Sequence, residues 1–251
     1  MERVVVGADL RLRVVEGGDA GGVPVVLVHG YPDTSSVWDG VAERLGERFR
    51  VVRYDVRGAG GSEAPAGRDG YRVEVLVRDL VAVVRDVGAP VHLVGHDWGS
   101  VQGWAAVAAH PGLFSSFTSI SGPALDHLGG VSVRAVWRSW YVLLFLVPGL
   151  AEVVWRAGWV RRLTRAGRRE LVNGVELYRA NVGRSRAPRV VEVPVHQIEL
   201  VRDPFVGVGH LDASKRWTRV LTRSRVRAGH WAVRTHPAVV AERITRVIDG
   251  A

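Results

Sequence analysis

Short apolar runs alternate with longer amphipathic segments along most of the chain. The run 24–28, Pro-Val-Val-Leu-Val, is apolar at every position, which is typical of a strand buried on both faces. Because such runs alternate with helical patterns, the sequence predicts an α/β fold with a mainly parallel, eight-stranded sheet flanked by helices. The expected strands are Val4–Val6, Leu10–Glu16, Val25–His29, Arg50–Tyr54, Val91–Gly95, Ser116–Ser121, Val195–Val201 and Arg223–Ala228.

The segments between these strands predict helices on the 3.6-residue period. Pro237 suits the first turn of the last helix, because the N–H that it lacks would make no helical hydrogen bond there. The expected helices lie near Ser36–Leu45, Val73–Val87, Ser100–Ala109 and Pro237–Asp249.

The strand pattern stops between about Gly122 and Glu192, where the chain is helical in pattern and rich in Trp and Arg. Such an insertion between sheet strands predicts a lid over one edge of the sheet. We therefore expect a core at 1–122 and 192–251 and a short helical lid at 123–191. The apolar run from Trp140 to Ala151 is interrupted by Pro148-Gly149 and is shorter than the ~20 residues that span a bilayer, so it favours a buried or interfacial segment.

The composition is that of one globular domain with a basic surface. The chain has 251 residues, 47% of them hydrophobic, and a net charge of +9 that rests on arginine, with Lys215 as the only lysine. That length allows a full core in a single domain. No nucleic-acid recognition module is visible. The absence of cysteine excludes thiolate chemistry, and residues 1–10 lack the apolar segment of a signal peptide, so we expect a cytoplasmic location.

One basic segment of the lid admits two interpretations. Trp155 and Trp159 are interleaved with arginines at positions 156, 161, 162, 165, 168 and 169. A solvated helix face explains this pattern, and so does peripheral contact with a lipid surface.

The segment 91–100, Val-His-Leu-Val-Gly-His-Asp-Trp-Gly-Ser, predicts a strand, a sharp turn and the start of a helix. It has the small-x-nucleophile-x-small form of a nucleophile elbow, with Asp97 at the position of the nucleophile. Gly95 and Gly99 suit a turn that leaves no room for side chains. The alternative is an Asp that only caps the helix.

These motifs resemble the epoxide hydrolases and haloalkane dehalogenases of the α/β-hydrolase superfamily. Residues 95–99, Gly-His-Asp-Trp-Gly, resemble their elbow, and residues 29–32, His-Gly-Tyr-Pro, resemble the oxyanion loop of the epoxide hydrolases. Residues 202–206 resemble the acid loop, and residues 228–231 the histidine loop. The resemblance is to the hydrolase half of actinobacterial proteins that fuse such a domain to a short-chain dehydrogenase.

The order nucleophile, acid, histidine is the chain order of this fold. A carboxylate with a pKa of ~4 is ionised at neutral pH, so Asp97 can attack an sp³ carbon and leave an ester on the protein. His230 would then activate water, and Asp203 would orient the imidazole. The backbone N–H groups of Tyr31 and Trp98 would receive the oxyanion.

Other candidates for the acid and the base are weaker. His230 is the histidine that directly follows the last expected strand. Asp203 follows the strand Val195–Val201, although residues 197–202 match the family pattern poorly. Asp126 is the fallback acid, since some relatives place it there, and Asp212 is the third choice.

The resemblance also implies two lid tyrosines that donate to the opening epoxide oxygen. Tyr141 and Tyr178 lie in matching contexts, the second in a Tyr-Arg-x-Asn pattern. A phenol of pKa ~10 donates without ionising at neutral pH. The alternative is that both are packing aromatics of the lid.

The sequence therefore favours hydrolysis of a hydrophobic epoxide to a diol, without a metal or cofactor. Tyr31 stands where haloalkane dehalogenases typically have Asn, which disfavours but does not exclude a dehalogenase with the same nucleophile. A non-catalytic module that binds a ligand, a lipid or a separate dehydrogenase is the alternative from another class. No metal-ligand cluster is apparent, and the glycines at 58, 60 and 61 lack the context of a dinucleotide fingerprint.

Overall fold

The structure, a computed structural model, describes residues 1–130, 140–156, 167–184 and 186–250. All eight predicted strands are present, with their ends shifted by a few residues. They are β1 (Glu2–Val6), β2 (Arg11–Gly18), β3 (Val23–Val28), β4 (Phe49–Tyr54), β5 (Val91–His96), β6 (Phe114–Ile120), β7 (Val195–Leu200) and β8 (Leu221–Val226).

The eight strands form one sheet in the order β1-β2-β4-β3-β5-β6-β7-β8. The first two strands pair antiparallel, and β2 is antiparallel to β4. Every other pairing is parallel, from β4–β3 across to β7–β8. The carboxyl ends of β3, β5, β6, β7 and β8 therefore meet at one edge, where ligands bind in open α/β sheets.

Helices cover both faces, as the sequence predicted. On one face α2 (Val73–Val87) packs against α3 (Trp98–Ala109), and on the other α1 (Asp39–Leu45) packs against the final helix, Pro237–Asp249. The central strand β5 is buried at every residue because apolar clusters lie on both of its faces.

Two of the predicted helices, Val73–Val87 and Pro237–Asp249, have the predicted bounds. The helix expected at Ser100 begins at Trp98, because it starts directly after Asp97, its N-cap residue. The segment expected as one helix, Ser36–Leu45, is a 3₁₀ turn at Ser35–Trp38 followed by α1.

The insertion between β6 and β7 is helical in its described part. After a 3₁₀ turn, Leu125–Gly130, come α4 (Trp140–Leu146), α5 (Leu150–Arg156) and α6 (Arg168–Asn181). Within the described residues of the insertion, β-pairing is limited to one isolated bridge between Val191 and Thr218. Two short helices complete the chain order, α7 (Val208–Asp212) and α8 (Ala232–Thr235), and the final helix is α9.

The basic segment singled out in the sequence falls largely outside the described residues. The side chains at positions 156, 159, 161, 162 and 165 are among those not described. Arg169 donates to the carbonyl oxygens of Gly60 and Ser62, at 2.6 and 2.5 Å. None of the helices within the described ranges has both the length and the apolar character needed to cross a bilayer.

Polar contacts tie α6 to the core. Asn181, the last residue of α6, accepts a hydrogen bond from the N–H of Val73 at 2.9 Å and donates to the carbonyl of Tyr71 at 2.8 Å. The first N–H groups of a helix have no partner within it, so this side chain caps α2 from a different helix. Asn173 adds a bond to the carbonyl of Gly58 at 2.9 Å.

We expect Asn181→Ala to lower the free energy of unfolding by about 2 kcal/mol, because it leaves a buried N–H and a buried carbonyl without partners. Urea denaturation followed by circular dichroism measures this change. Asn173→Ala, which loses one bond in a partly exposed position, should cost less. Equal stability of the two variants would contradict the capping role.

Candidate active site

Asp97 lies in a strained turn between β5 and α3. Its backbone has φ 54° and ψ −122°, a conformation that L-residues rarely adopt. The carboxylate is 15% exposed. The turn therefore holds a partly accessible carboxylate at the carboxyl edge of the sheet, as the elbow motif predicted.

Two glycines make this turn sterically possible. A Cβ on Gly99 would lie 2.1 Å from the carbonyl oxygen of Val28, so the start of α3 touches the backbone of β3. A Cβ on Gly30 would lie 2.3 Å from Oδ1 of Asp97. Both contacts are far inside van der Waals distance, and only glycine fits at either position.

The N–H groups expected to form an oxyanion hole contact the carboxylate itself. The N–H of Tyr31 donates to Oδ1 of Asp97 at 2.8 Å, and the N–H of Trp98 is a second backbone donor. Burial raises the pKa of Asp97, and the positive charge of His230 and these two N–H groups partly offset that effect. Oδ1 is held by the Tyr31 N–H, whereas Oδ2 faces the imidazole.

His230 follows β8 and lies between two carboxylates. Its Nδ1 is 3.0 Å from Oδ2 of Asp203, and its Nε2 is 3.7 Å from Oδ2 of Asp97. Because an ionised carboxylate only accepts, Nδ1 carries the proton and Nε2 of the neutral ring faces Asp97. Burial alone lowers the pKa of His230, but the hydrogen bond and charge of Asp203 outweigh it, so the pKa is raised overall.

Asp203 accepts hydrogen bonds on both oxygens. Oδ1 accepts the N–H groups of Phe205 and Val206, at 2.7 and 3.1 Å, and Oδ2 accepts from His230. Burial raises the pKa of Asp203, yet the bond from His230, its positive charge and the other donors bring it down to about 2. The carboxyl is therefore ionised whenever the imidazole titrates.

Ser121, which the sequence argument overlooked, completes this group. It follows β6 directly, and its hydroxyl donates to Oδ2 of Asp203 and lies 3.0 Å from Nδ1 of His230. In the sequence, Ser121 could have been recognised by its position at the end of β6. That strand pairs with β5, which precedes Asp97, and with β7, which precedes Asp203.

Two further side chains near His230 were also missed. His96 donates from Nε2 to the carbonyl of His230 at 2.9 Å, and its burial lowers its pKa to about 3, so the ring is neutral. Asp33 accepts from Nε1 of Trp231 at 3.0 Å, and its burial raises its pKa to about 6. His96 lies inside the elbow motif 95–99, and Asp33 directly follows the motif 29–32.

Aromatic rings from the insertion pack on the elbow. Tyr178 is buried, with its ring centroid 5.1 Å from that of Trp98 and 5.7 Å from that of Tyr31. Phe145 on α4 packs 4.8 Å from Tyr178. Tyr141 lies on α4, but its side chain is outside the described part of the structure.

The other acid candidates lie in separate ion pairs. Asp126 pairs with Nε of Arg189 at 3.2 Å. Asp212 pairs with Lys215 at 3.1 Å and with Arg223 at 2.9 Å. Asp203 is the carboxylate that the structure brings to His230 on the side away from Asp97.

Two cavities border the site. One of about 20 Å³, enough for a water molecule, is lined by residues that include Tyr31, Trp98 and Leu177. A second, of about 520 Å³, lies beside Asp33 and Glu170, which line both. No group of three or more His, Cys, Asp or Glu side chains in the described ranges is arranged to hold a metal ion.

Comparison with known proteins shows which sequences this chain is similar to. A family model described as alpha/beta hydrolase fold matches residues 23–169. The probable oxidoreductase EphD of Mycobacterium tuberculosis is 35% identical over 294 aligned residues, covering 99% of this chain and 50% of that protein. Epoxide hydrolase A of the same species is 36% identical over 159 residues, covering 60% of this chain and 49% of that protein. The chain thus spans about half the length of the curated relatives it matches.

The fold is also similar to that of solved structures. An epoxide hydrolase from Bacillus megaterium aligns with a TM-score of 0.86 at 20% identity, over 98% of this chain and 100% of that one. At that identity the likeness concerns the fold.

We expect Gly99→Ala to destabilise the protein by more than about 3 kcal/mol or to prevent folding, because the added methyl overlaps the Val28 carbonyl. Gly112→Ala is the matched control, since a Cβ there meets nothing within 4 Å. Thermal unfolding and soluble yield compare the two. A Gly99→Ala protein as stable as the control would show that the turn is looser than described.

Proposed function

The chain belongs to the α/β-hydrolase fold family, and from that premise we propose that it hydrolyses a hydrophobic epoxide to a diol through a covalent ester on Asp97. The observation that carries the proposal is the placement of His230 between two carboxylates, 3.0 Å from Asp203 and 3.7 Å from Asp97. Serine hydrolases of this fold have Ser at the position of Asp97. A carboxylate there needs no base to become nucleophilic, which leaves the histidine to act on water.

In the first step Oδ2 of Asp97 attacks an epoxide carbon. Oδ1 is held by the Tyr31 N–H, so Oδ2 is the oxygen available for attack. The new C–O ester bond forms as the ring C–O bond breaks, and the ring oxygen takes a proton. We assign that donor role to Tyr178, whose ring packs on Trp98 beside the elbow, together with Tyr141.

In the second step Nε2 of His230 takes a proton from water, and the water oxygen attacks Cγ of Asp97. The negative charge that develops on the tetrahedral intermediate is received by the N–H groups of Tyr31 and Trp98, each worth about 3 kcal/mol in comparable sites. Collapse of the intermediate releases the diol, whose oxygen takes the proton back from His230. Asp97 then carries one oxygen and the remaining proton of the water, and that proton returns to the tyrosinate left by ring opening, so that the carboxylate and the phenol are both restored.

The described helices of the insertion serve as the lid in this proposal, and residues 123–191 would form it. Tyr31 supports that role, because its hydroxyl donates to the carbonyl of Leu171 on α6 at 2.9 Å. A Cβ on Gly174 would lie 2.0 Å from the Tyr31 ring. The lid helix is therefore packed directly on the loop that supplies an oxyanion donor. An aromatic, apolar lid suits a hydrophobic epoxide, and the basic segment at 156–169 would allow peripheral contact with lipid.

Turnover of an aryl epoxide in ¹⁸O-labelled water tests the proposal. We expect diol, and after multiple turnovers ¹⁸O in the peptide that contains Asp97, because hydrolysis exchanges a carboxylate oxygen. His230→Gln should accumulate a protein adduct with the mass of the substrate, and Asp97→Ala should form neither adduct nor diol. His236→Gln, a histidine in the loop before α9, is the control. Binding of epoxides and haloalkanes without turnover would instead support a binding module.

We expect Tyr178→Phe and Tyr141→Phe each to slow ester formation on the order of 10- to 100-fold, since each removes a proton donor to the epoxide oxygen. The double variant should nearly abolish it. Rapid-quench measurement of the adduct gives the rate constant, and Tyr71→Phe, which removes a hydroxyl beside Gly58, is the control. An unimpaired double variant would rule out the donor role.

A further inference from the structure

Ser121 is held in a strained conformation beside the acid and the base. Its φ is 51°, and among the described non-glycine residues only Asp97 shares a positive φ. Both side chains contact the same imidazole, one from each end. Strained backbone at a non-glycine residue persists where the surrounding structure enforces it, and such residues cluster at functional sites.

The proton positions around Ser121 follow from the ionised carboxylate. Asp203 only accepts, so Oδ2 receives both the Nδ1–H of His230 and the hydroxyl proton of Ser121. Nδ1 itself also lies 3.0 Å from Oγ of Ser121, which shares its proton with Oδ2. With the N–H groups of Phe205 and Val206 on Oδ1, the described residues supply the carboxylate with at least four donors.

We propose that Ser121 is a positioning residue that acts through Asp203 to keep His230 deprotonated and aimed at the ester of Asp97. This rests on the proposed function. The hydroxyl draws negative charge from Oδ2, so it weakens the hold of the carboxylate on the imidazolium. It also fixes the rotation of the carboxylate, and therefore the plane of the ring that Asp203 orients.

The charged groups that face His230 determine whether its imidazole is neutral or a cation. Asp203, Asp97 and Asp33 all raise the pKa of the imidazole, while the neutral ring of His96 packs against it at a centroid distance of 4.8 Å. A base that is held as a cation by three carboxylates cannot accept a proton from water. In the ester intermediate Asp97 has lost its charge, and the hydroxyl on Oδ2 of Asp203 then lowers the proton affinity of the imidazole together with burial.

Ester formation and ester hydrolysis should depend on Ser121 to different extents. Ester formation needs the ionised Asp97, whereas the described hydrogen bonds of the Ser121 hydroxyl involve Asp203 and His230. Ester hydrolysis needs the neutral, oriented His230. Removal of the hydroxyl should therefore slow the second step alone, and it should raise the pH at which His230 titrates, because the charge of Asp203 is then less compensated.

The test compares Ser121→Ala and Ser121→Gly with the wild-type protein by two measurements. Single-turnover kinetics should show ester formation within about 2-fold of wild type and ester hydrolysis slowed about 10-fold or more, the effect expected for a lost bond to a charged group. NMR titration of ¹³C-labelled histidines, with His230 assigned from His230→Gln, should show a midpoint at higher pH in both variants.

Glycine adopts a positive φ without strain, whereas alanine keeps the Cβ and the strain. Equal effects in the two variants would therefore assign the role to the hydroxyl rather than to the backbone. Ser116→Ala is the matched control, since Ser116 lies on the same strand and its hydroxyl lies 2.8 Å from Nδ1 of a different histidine, His92. It should alter neither measurement.

The two proposals fail in distinguishable ways. A His230 midpoint unchanged in Ser121→Gly, or wild-type ester hydrolysis in that variant, overturns the role of Ser121 and leaves the proposed function intact. Absence of ester and diol from the wild-type protein, together with a raised midpoint in Ser121→Gly, overturns the proposed function and leaves the coupling of Ser121 to His230 in place.

Discussion

The backbone turn at Asp97 is the constraint on which the rest of the site depends. Gly99 brings the start of α3 into contact with β3, and Gly30 brings the β3 loop into contact with the carboxylate. These contacts aim the N–H of Tyr31 at Oδ1 and leave Oδ2 facing His230. The positive φ at Asp97 is thus maintained by close packing of backbone on backbone, which a larger residue at either glycine would disrupt.

Charge rather than steric contact organises the other half of the site. Burial raises the pKa of Asp97 and Asp33, whereas the donors around Asp203 lower its pKa to about 2. The surroundings of the three carboxylates near the imidazole therefore shift their pKa values in different directions. Asp203, which accepts hydrogen bonds on both oxygens, carries the permanent charge, and Oδ2 of Asp97 lies 3.7 Å from Nε2 of His230 on the opposite side of the ring.

Helix α6 of the insertion is joined to the core by polar contacts. The three side chains of the Tyr-Arg-x-Asn pattern each make a different contact. Tyr178 packs on the elbow, Arg179 pairs with Glu152 of α5 at 2.7 Å, and Asn181 caps α2. One turn of helix therefore contacts the neighbouring helices of the insertion, the core and the elbow. The hydrogen bonds from Asn181 and Asn173 to backbone groups of the core hold α6 in one position.

The sequence by itself determined the order of strands and helices and the candidate chemical groups, because both can be recognised from local patterns. Apolar runs with a strand period, glycine spacing at 95–99 and the order of Asp97, Asp203 and His230 can be recognised without knowing any long-range contact. The bounds Val73–Val87 of α2 followed from amphipathic spacing alone. Ser121, Asp33 and His96 became evident only in the tertiary structure, since a serine after a strand or a histidine in an elbow has no distinctive local pattern. Their effect arises where five strand ends converge, and distances between residues more than 80 positions apart in the chain, such as Ser121 to Asp203, are decided by packing.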